Sequence, residues 1–152
     1  MPIQHIAIFL PLVIFVATTF ATVMIHGFAV QTNVHLLRRE LGLGRAGVMF
    51  WTDVAIVAGT TLIALVAHLI EITVWALVFI SCGEFSQLGA AIYHSATNYT
   101  SLGYGDVIMS SSWKLLGPLE TADGMLMFGV STAMIIAVLQ RLVVIRFGSL
   151  DN

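Results

Sequence analysis

Three long apolar stretches, separated by more polar segments, constrain this chain most strongly. They run from about Ile6 to Ile25, from about Asp53 to Ile80 and from about Pro118 to Arg146. The first has 20 residues and no charge. At about 1.5 Å per residue, a helix of that length crosses a hydrocarbon core about 30 Å thick. The second has 28 residues and must tilt or project beyond such a core. The sequence therefore predicts three membrane-spanning helices.

Composition narrows the class of protein further. Of the 152 residues, 59% are hydrophobic and 9% are charged, whereas an ordinary soluble domain is about half apolar and about a quarter charged. Six basic residues against eight acidic ones make no cationic surface for a nucleic acid, and disorder requires low hydrophobicity. These numbers argue against a soluble enzyme, a nucleic-acid-binding protein and a disordered chain. They favour one domain embedded in a membrane, with no catalytic chemistry.

The basic residues predict the orientation of the chain. The segment from Gly27 to Trp51 is relatively polar and contains three arginines, and two more lie near the end of the third stretch; the opposite side has only Lys114. Because lysine and arginine favour the cytoplasmic side, we expect a cell-membrane protein with its N-terminus on the outer side and its C-terminus on the cytoplasmic side. The polar segment fits either a short amphipathic helix on the membrane surface or a plain connecting loop.

The outer segment 81–112 contains an apolar run that is too short to be a span. Glu84 to Tyr99 has only 16 residues. Ser81 and Glu84 have the spacing of a capping box, so we expect a re-entrant half-helix to begin near them. Irregular backbone at membrane depth is tolerated only inside protein or along a water-filled path. The residues that follow the half-helix are therefore the most informative part of the chain.

Residues 97–106 read Thr-Asn-Tyr-Thr-Ser-Leu-Gly-Tyr-Gly-Asp. With a half-helix before it and a span on each side, this string resembles the selectivity filter of the potassium channel family, commonly Thr-Val-Gly-Tyr-Gly followed by Asp. The resemblance extends roughly from Asp53 to Arg146 and implies an outer helix, a re-entrant pore helix, a filter loop and an inner helix. Together with the first span, which lies outside the resemblance, this predicts an all-α membrane protein with three transmembrane helices. Its parts would be an N-terminal transmembrane helix with a cytoplasmic basic loop (1–52), a pore domain (53–146) and a short cytoplasmic tail (147–152).

The residue types of this string suit the passage of a dehydrated cation. Such an ion needs oxygens in place of its water shell, and a backbone supplies them when successive carbonyl groups point inward. This requires alternating conformations with positive φ, which glycine adopts at little cost, and Gly103 and Gly105 have the required spacing. The Ser101 hydroxyl would extend the row inward, Tyr104 would wedge against the half-helix, and Asp106 would lie at the outer mouth. The predicted K+-coordinating residues are Thr100, Ser101, Leu102, Gly103, Tyr104 and Gly105.

The number of chains follows from the filter. Each chain has one copy of the string and no internal repeat, whereas the resemblance implies a K+ ion caged by about eight oxygens in two layers of four. We therefore expect a homotetramer in the lipid bilayer that conducts K+ passively and selectively. We expect no cofactor, and no substrate other than K+. Because no span carries the repeated arginines of a voltage sensor, a leak-like or a proton- or lipid-modulated pore is favoured.

The string departs from the family pattern at several positions. Ser101 replaces the usual threonine, and Leu102 replaces valine. Thr97 stands where some members carry a buried glutamate that braces the filter, so inactivation that depends on that glutamate is not expected to carry over. Tyr93 and His94 fall where the family often has aromatic residues behind the filter. The predicted filter-supporting residues are Tyr93, His94, Thr97 and Glu120.

The polar side chains inside the spans each have two possible interpretations. His68 and Glu71, three residues apart, share a helix face; they are either a buried pair that locks the outer helix or a proton sensor that shifts gating. Glu120 and Asp123 come early in the third span. There they either interact favourably with the positive end of the helix or brace the filter and attract cations.

The third span is expected to line the inner pore. Ser131 and Thr132 could face a water-filled cavity or hydrogen-bond to their own helix backbone. Ile135 and Leu139, four residues apart, could form a hydrophobic gate or simply pack against a neighbouring helix. Gly124 and Gly129 are candidate hinges. These predicted gate or cavity residues are Gly124, Gly129, Ser131, Thr132, Ile135 and Leu139.

Two alternative functions fit parts of the same sequence. One is a weakly selective cation channel, against which the intact Gly-Tyr-Gly argues. The other is a non-conducting membrane anchor or haem-binding subunit that uses His26, His68 and His94, because intramembrane histidines can ligate haem. No pair of these histidines has a diagnostic spacing.

Overall fold

A computed structural model describes residues 8–148 of the chain. They form α1 (Phe9–Gly42), α2 (Phe50–Ser81), α3 (Leu88–Tyr99) and α4 (Leu116–Gly148), and they contain no strand. Three of the helices, α1, α2 and α4, are long and apolar enough to cross a membrane. The predicted all-α membrane fold with three spans and one short helix is therefore confirmed.

The predicted second and third spans agree with α2 and α4 to within three residues at each end. Two other predicted boundaries lie outside the described residues: the start of the first span at Ile6, and residues 149–152 of the tail. Helix ends fray by one or two residues in any assignment, so the agreement is as close as hydropathy allows.

Helix α1 is much longer than the first apolar stretch. It has 34 residues and continues through residues 26–42, where a loop or a separate surface helix was expected; both expectations are wrong. Leu37 and Leu41, one turn apart on α1, pack against a buried cluster that includes Ile56 and Val138. Burial of this apolar stripe stabilises the helical form beyond the end of the hydropathy signal.

The capping box expected at the start of the half-helix is not formed. Ser81 is the last residue of α2, and its hydroxyl donates to the carbonyl of Leu77 at 2.8 Å. The Glu84 carboxylate accepts hydrogen bonds from the backbone and the hydroxyl of Ser110, at 2.7 and 2.5 Å. Helix α3 begins later, after an extended Gln87 that makes no side-chain cap. Ser81 and Glu84 have the spacing of a capping box, but each makes its side-chain hydrogen bond to a different residue.

The chain divides into two units by its internal contacts. The first consists, among the described residues, of 8–25 and Leu69–Phe128. Trp75 and Phe79 of α2 and Tyr99 of α3 are fully buried in its core. Segments of α1, α2 and α4 thus surround the short helix α3. The buried members of this core are Ile72, Trp75, Phe79, Tyr99, Met109, Leu116 and Met127.

The second unit consists of residues 26–68 and 129–148. Its apolar cluster joins Ala46 and Ile56 to Val138 and Leu142. Next to it, the Asp53 carboxylate accepts hydrogen bonds from the backbone N–H of Gly47 at 2.7 Å and from the Arg146 guanidinium at 2.8 Å. Asp53 lies in the first turn of α2 and Arg146 in the last turn of α4, where the helix dipoles favour these charges.

Candidate functional site

The loop that carries the filter string begins at the C-terminal end of α3. The backbone N–H of Ser101 donates to the carbonyl of Asn98 at 2.8 Å, and the N–H of Gly103 donates to the carbonyl of Thr97 at 2.9 Å. These bonds fold the first half of the string back onto the last turn of the helix. The position of that turn therefore determines where the filter backbone lies.

From Ser101 to Gly105, every second residue of the string has a left-handed backbone. The φ angles are 59° at Ser101, 54° at Gly103 and 72° at Gly105, while Leu102 and Tyr104 have ordinary negative values. Positive φ at the two glycines is what their spacing predicts. Ser101 is the one non-glycine residue with positive φ among residues 8–148, and this conformation was not predicted from its residue type. An L-residue there pays a steric cost of about 1 kcal/mol.

The side chains of residues 100–106 are open to the surroundings in the single chain. Leu102 is 56% exposed and Tyr104 is 67% exposed, and the whole range 100–106 is exposed. The predicted wedge of Tyr104 against the half-helix is thus not made within one chain, and it stays a prediction for an assembled protein.

The outer end of the string is tied to α3. The Tyr93 hydroxyl donates to Asp106 Oδ2 at 2.8 Å, which brings together two residues that were predicted separately as filter support and outer mouth. This hydrogen bond to the Asp106 carboxylate, followed by desolvation, raises the pKa of Tyr93 above its usual value. The contact therefore holds Tyr93 in its protonated, donating form.

His94 and Thr97 are both buried behind the string. The His94 ring lies 5.3 Å from the ring of Phe79 and 5.1 Å from that of Phe85, and its Nε2 is 2.9 Å from the Asn98 amide. Burial lowers the pKa of His94, although a backbone hydrogen bond at Val107 opposes the shift. The Thr97 hydroxyl donates to the His94 carbonyl, so Thr97 reaches the filter backbone only through its own carbonyl.

The lowered pKa of His94 predicts acid sensitivity. A histidine whose folded-state pKa lies below its unfolded value of about 6.5 contributes its full stability above that pH. The contribution is lost as the pH falls toward and through the folded pKa. His94→Gln should therefore reduce the loss of thermal stability of the purified protein between about pH 7.5 and about pH 5, whereas His35→Gln, on the exposed side of α1, should leave it unchanged. Equal acid sensitivity in wild type and His94→Gln would contradict this assignment.

Two polar contacts from α4 hold α3 in place. The Thr121 hydroxyl donates to the carbonyl of Asn98 at 2.8 Å. Glu120 Oε1 lies 2.5 Å from the hydroxyl oxygen of Ser95, and that hydroxyl lies 2.8 Å from the carbonyl of Ile72 on α2. Glu120 is fully buried and lies beyond the first turn of α4. Its contact with α3 favours the bracing interpretation over that of the helix dipole.

Asp123 joins three helices of the first unit. It is fully buried, accepts a hydrogen bond from the Trp75 indole on α2 at 2.9 Å, and accepts another from the Thr22 hydroxyl on α1 at 3.0 Å. Asp123 therefore connects α1, α2 and α4 within the first unit.

Tyr99, the last residue of α3, is the anchor that sequence reasoning missed. It is fully buried, its hydroxyl donates to the Glu71 carboxylate on α2, and its ring packs edge-on against Phe128 at 5.6 Å. A side chain at Gly124 would collide with the Tyr99 carbonyl. The spacing of Ala91, Ser95 and Tyr99, four residues apart on α3, was the available signal, because it places them on one buried face.

The bond between Tyr99 and Glu71 should make a measurable contribution to stability. Tyr99→Phe removes a donor from a buried carboxyl and should cost about 1–3 kcal/mol in unfolding free energy. Glu71→Gln should cost less, and the double variant less than the sum, because both changes break the same bond. Denaturant unfolding of the detergent-solubilised protein measures all three. Tyr93→Phe, at an exposed hydroxyl, is the matched control and should cost much less than Tyr99→Phe. Strict additivity would show that the two side chains act independently.

Two histidines and a serine meet in the second unit. Ser131 Oγ lies 2.9 Å from Nε2 of His26 and 2.9 Å from Nε2 of His68, and the two rings are 5.2 Å apart. A hydroxyl has one hydrogen, so in the neutral state it donates to one ring and accepts from the other. His68 therefore has a partner on α4, and Glu71 has one on α3. A metal bound by both Nε2 atoms would have to displace these two hydrogen bonds.

The predicted gate residues fall into two groups. Gly124 and Ser131 are buried within the chain, so neither is available to a cavity between chains. The others are partly or fully exposed: Gly129, Thr132, Ile135 and Leu139. Leu139 also lines an apolar groove of about 450 Å³ with Val57 and Val143. Only this second group remains a candidate for a pore-lining surface.

Residues 65–141 match a protein family model described as Ion channel. The match begins inside α2, contains all of α3 and the filter string, and ends inside α4. No curated protein sequence and no solved structure matched the chain.

Proposed function

The chain belongs to this ion channel family, and on that premise we propose that it is a potassium-selective channel formed by four identical copies. Each copy supplies the backbone carbonyls of residues 100–105 to a shared filter on the symmetry axis. Asp106 lies at the outer mouth, and the inner helix α4 presents Thr132, Ile135 and Leu139 toward the inner pore. The ion passes without chemical change.

One observation carries this proposal: the left-handed backbone at Ser101, Gly103 and Gly105. In an extended strand, successive carbonyls point to opposite sides. When left-handed and right-handed residues alternate, successive carbonyls can point to the same side, and a row of oxygens that replaces the water shell of K+ becomes available. A plain connecting loop between α3 and α4 needs no such alternation.

The assembly of four copies is supported by what the single chain leaves exposed. One chain offers one carbonyl to each layer of oxygens, and the range 100–106 has no cover within the chain. Large apolar side chains of α4 are exposed as well, with Met125 at 63% and Leu126 at 61%. Exposed apolar patches mark contact sites with other proteins or with the membrane, and identical copies around one axis can cover such a surface symmetrically.

The orientation that we propose rests on charge. Residues 26–68 and 129–148 contain five arginines and two acidic residues, whereas Leu69–Phe128 contains Lys114 as its only basic residue. Basic residues favour the cytoplasm, so the filter end faces outward, with the N-terminus outside and the C-terminus inside.

Flux measurements in liposomes test the proposal. The purified protein should pass K+ driven by a gradient, with Na+ flux lower by at least about a hundredfold. Equal K+ and Na+ flux would show a weakly selective cation channel, and no flux with a haem absorbance spectrum would show the membrane anchor instead. A copy number other than four in the purified assembly would also contradict the proposal.

The Ser101 side chain should contribute to the innermost ion site. Ser101→Ala keeps a non-glycine residue at the same left-handed position and removes only the hydroxyl. We expect K+ flux, and block by barium, to change while the tetramer stays assembled, because the carbonyl layers above it remain. Ser101→Thr restores a hydroxyl and is the control. Unchanged conduction and block in Ser101→Ala would show that the side chain does not face the ion.

A further inference from the structure

The hydroxyl of Ser95 makes two short contacts that one hydrogen cannot serve equally. Its Oγ lies 2.8 Å from the carbonyl oxygen of Ile72 and 2.5 Å from Glu120 Oε1. A carbonyl and an ionised carboxylate are both acceptors only, whereas a serine hydroxyl has one hydrogen and two lone pairs. If Glu120 is ionised, the single Ser95 hydrogen can be donated fully either to the Ile72 carbonyl oxygen or to Glu120 Oε1. The other of these two acceptors then contacts the Ser95 oxygen without a full hydrogen bond.

The surroundings of Glu120 offer little compensation for a negative charge. The residue is fully buried, and in the salt bridges of residues 8–148 it has no Lys or Arg partner. Its Oε2 is buried and has no hydrogen-bond partner of ordinary geometry among those residues, although the Asn98 amide lies near enough to interact with the carboxyl. Burying an unpaired carboxylate is costly, and such a group takes up a proton instead.

We propose that Glu120 is a neutral carboxylic acid that donates its proton to Ser95 and thereby acts as a positioning residue for the filter. The proton stays on Oε1, the Ser95 oxygen accepts it through a lone pair, and the Ser95 hydrogen is donated to the carbonyl of Ile72. With these two hydrogen bonds, the Glu120 acid proton, the Ser95 hydroxyl and the Ile72 carbonyl each have a partner. It connects α4 to α2 through one residue of α3.

The consequence for ion passage rests on the proposed function. Ser95 lies four residues before Tyr99 on the same face of α3, and the end of α3 holds the filter backbone through the bonds of Asn98 and Thr97. Loss of the Glu120 contact would let the helix shift and change the spacing of the carbonyl rows. Glu120 holds the helix as a neutral hydrogen-bond donor. Because it carries no charge in this form, it does not attract K+ electrostatically.

Infrared spectroscopy tests the protonation without any need for conduction. The purified protein in detergent at neutral pH should show the carbonyl-stretch band of a non-ionised carboxylic acid, and this band should lose intensity in E120Q. E40Q is the matched control: Glu40 is paired with Arg45 at 2.8 Å, so its removal should leave the band unchanged. A wild-type spectrum without the band, or a band equally strong in E120Q, would overturn the proposal.

Flux measurements separate a neutral donor from a charge. The amide of E120Q can donate to Ser95 as the acid does, so its K+/Na+ flux ratio should stay within about twofold of wild type, whereas E120A and S95A should lose about tenfold. An E120Q as impaired as E120A would show that the charge is needed, and would overturn the proposal. Absence of K+ flux in the wild type would instead count against the proposed function, while the infrared result would still decide the state of Glu120.

Discussion

Gly103→Ala is expected to reduce the K+/Na+ flux ratio strongly, whereas Gly83→Ala is expected to leave it unchanged. Both glycines have positive φ, 54° and 78°, and neither would bring a new side chain within 4 Å of another residue of the chain. The two variants therefore pay a similar backbone cost of about 1–2 kcal/mol. Only Gly103 lies in the filter string, where, in the proposed tetramer, four copies of the shift would act on the same ion path. The K+/Na+ flux ratio in liposomes should fall by about tenfold or more in Gly103→Ala alone.

The pair of variants also tests the argument from the alternating backbone. Thermal unfolding should show similar losses of stability in both, which confirms that their backbone costs match. If Gly103→Ala conducts with unchanged selectivity, the left-handed position at residue 103 does not shape the ion path, and the main support for the proposed function is lost.

Gly124→Ala is expected to impair the protein far more than Gly129→Ala, although both glycines lie in α4 and both were predicted as hinges. At Gly124 a new Cβ would collide with the carbonyl of Tyr99 and lie 3.1 Å from its ring, whereas at Gly129 it would meet nothing within 4 Å. Overpacking against backbone costs about 1–3 kcal/mol. Alanine in an open helix position is favoured over glycine by about 1 kcal/mol.

The measurement is the thermal stability of the purified protein, followed by K+ flux of each variant. Gly124→Ala should lower both, because it pushes the residue that precedes the filter away from α4. Gly129→Ala should be at least as stable as wild type. A Gly129→Ala that is stable but has altered opening would assign the hinge to Gly129, whereas a fully tolerated Gly124→Ala would show that α3 and α4 are not in close contact there.

The sequence predicted those features that depend on a short run of residues. Two of the three spans were placed to within three residues, because hydropathy and length are properties of the segment itself. Positive φ at Gly103 and Gly105 followed from residue type and spacing. The errors came where a partner decided the outcome: Ser81 and Glu84 bind groups other than each other, and α1 extends to Gly42 because Leu37 and Leu41 find a surface to pack on.

The amino-acid sequence by itself determined the membrane class, the helix order and the location of the string that resembles a selectivity filter. Only the tertiary structure decided how that string is held. Glu71 lies 28 residues from Tyr99 and Glu120 lies 25 from Ser95, and no local pattern says which buried acid meets which hydroxyl. A buried polar group must find a hydrogen-bond partner wherever the folded chain brings one within reach, so these pairings become visible only in three dimensions.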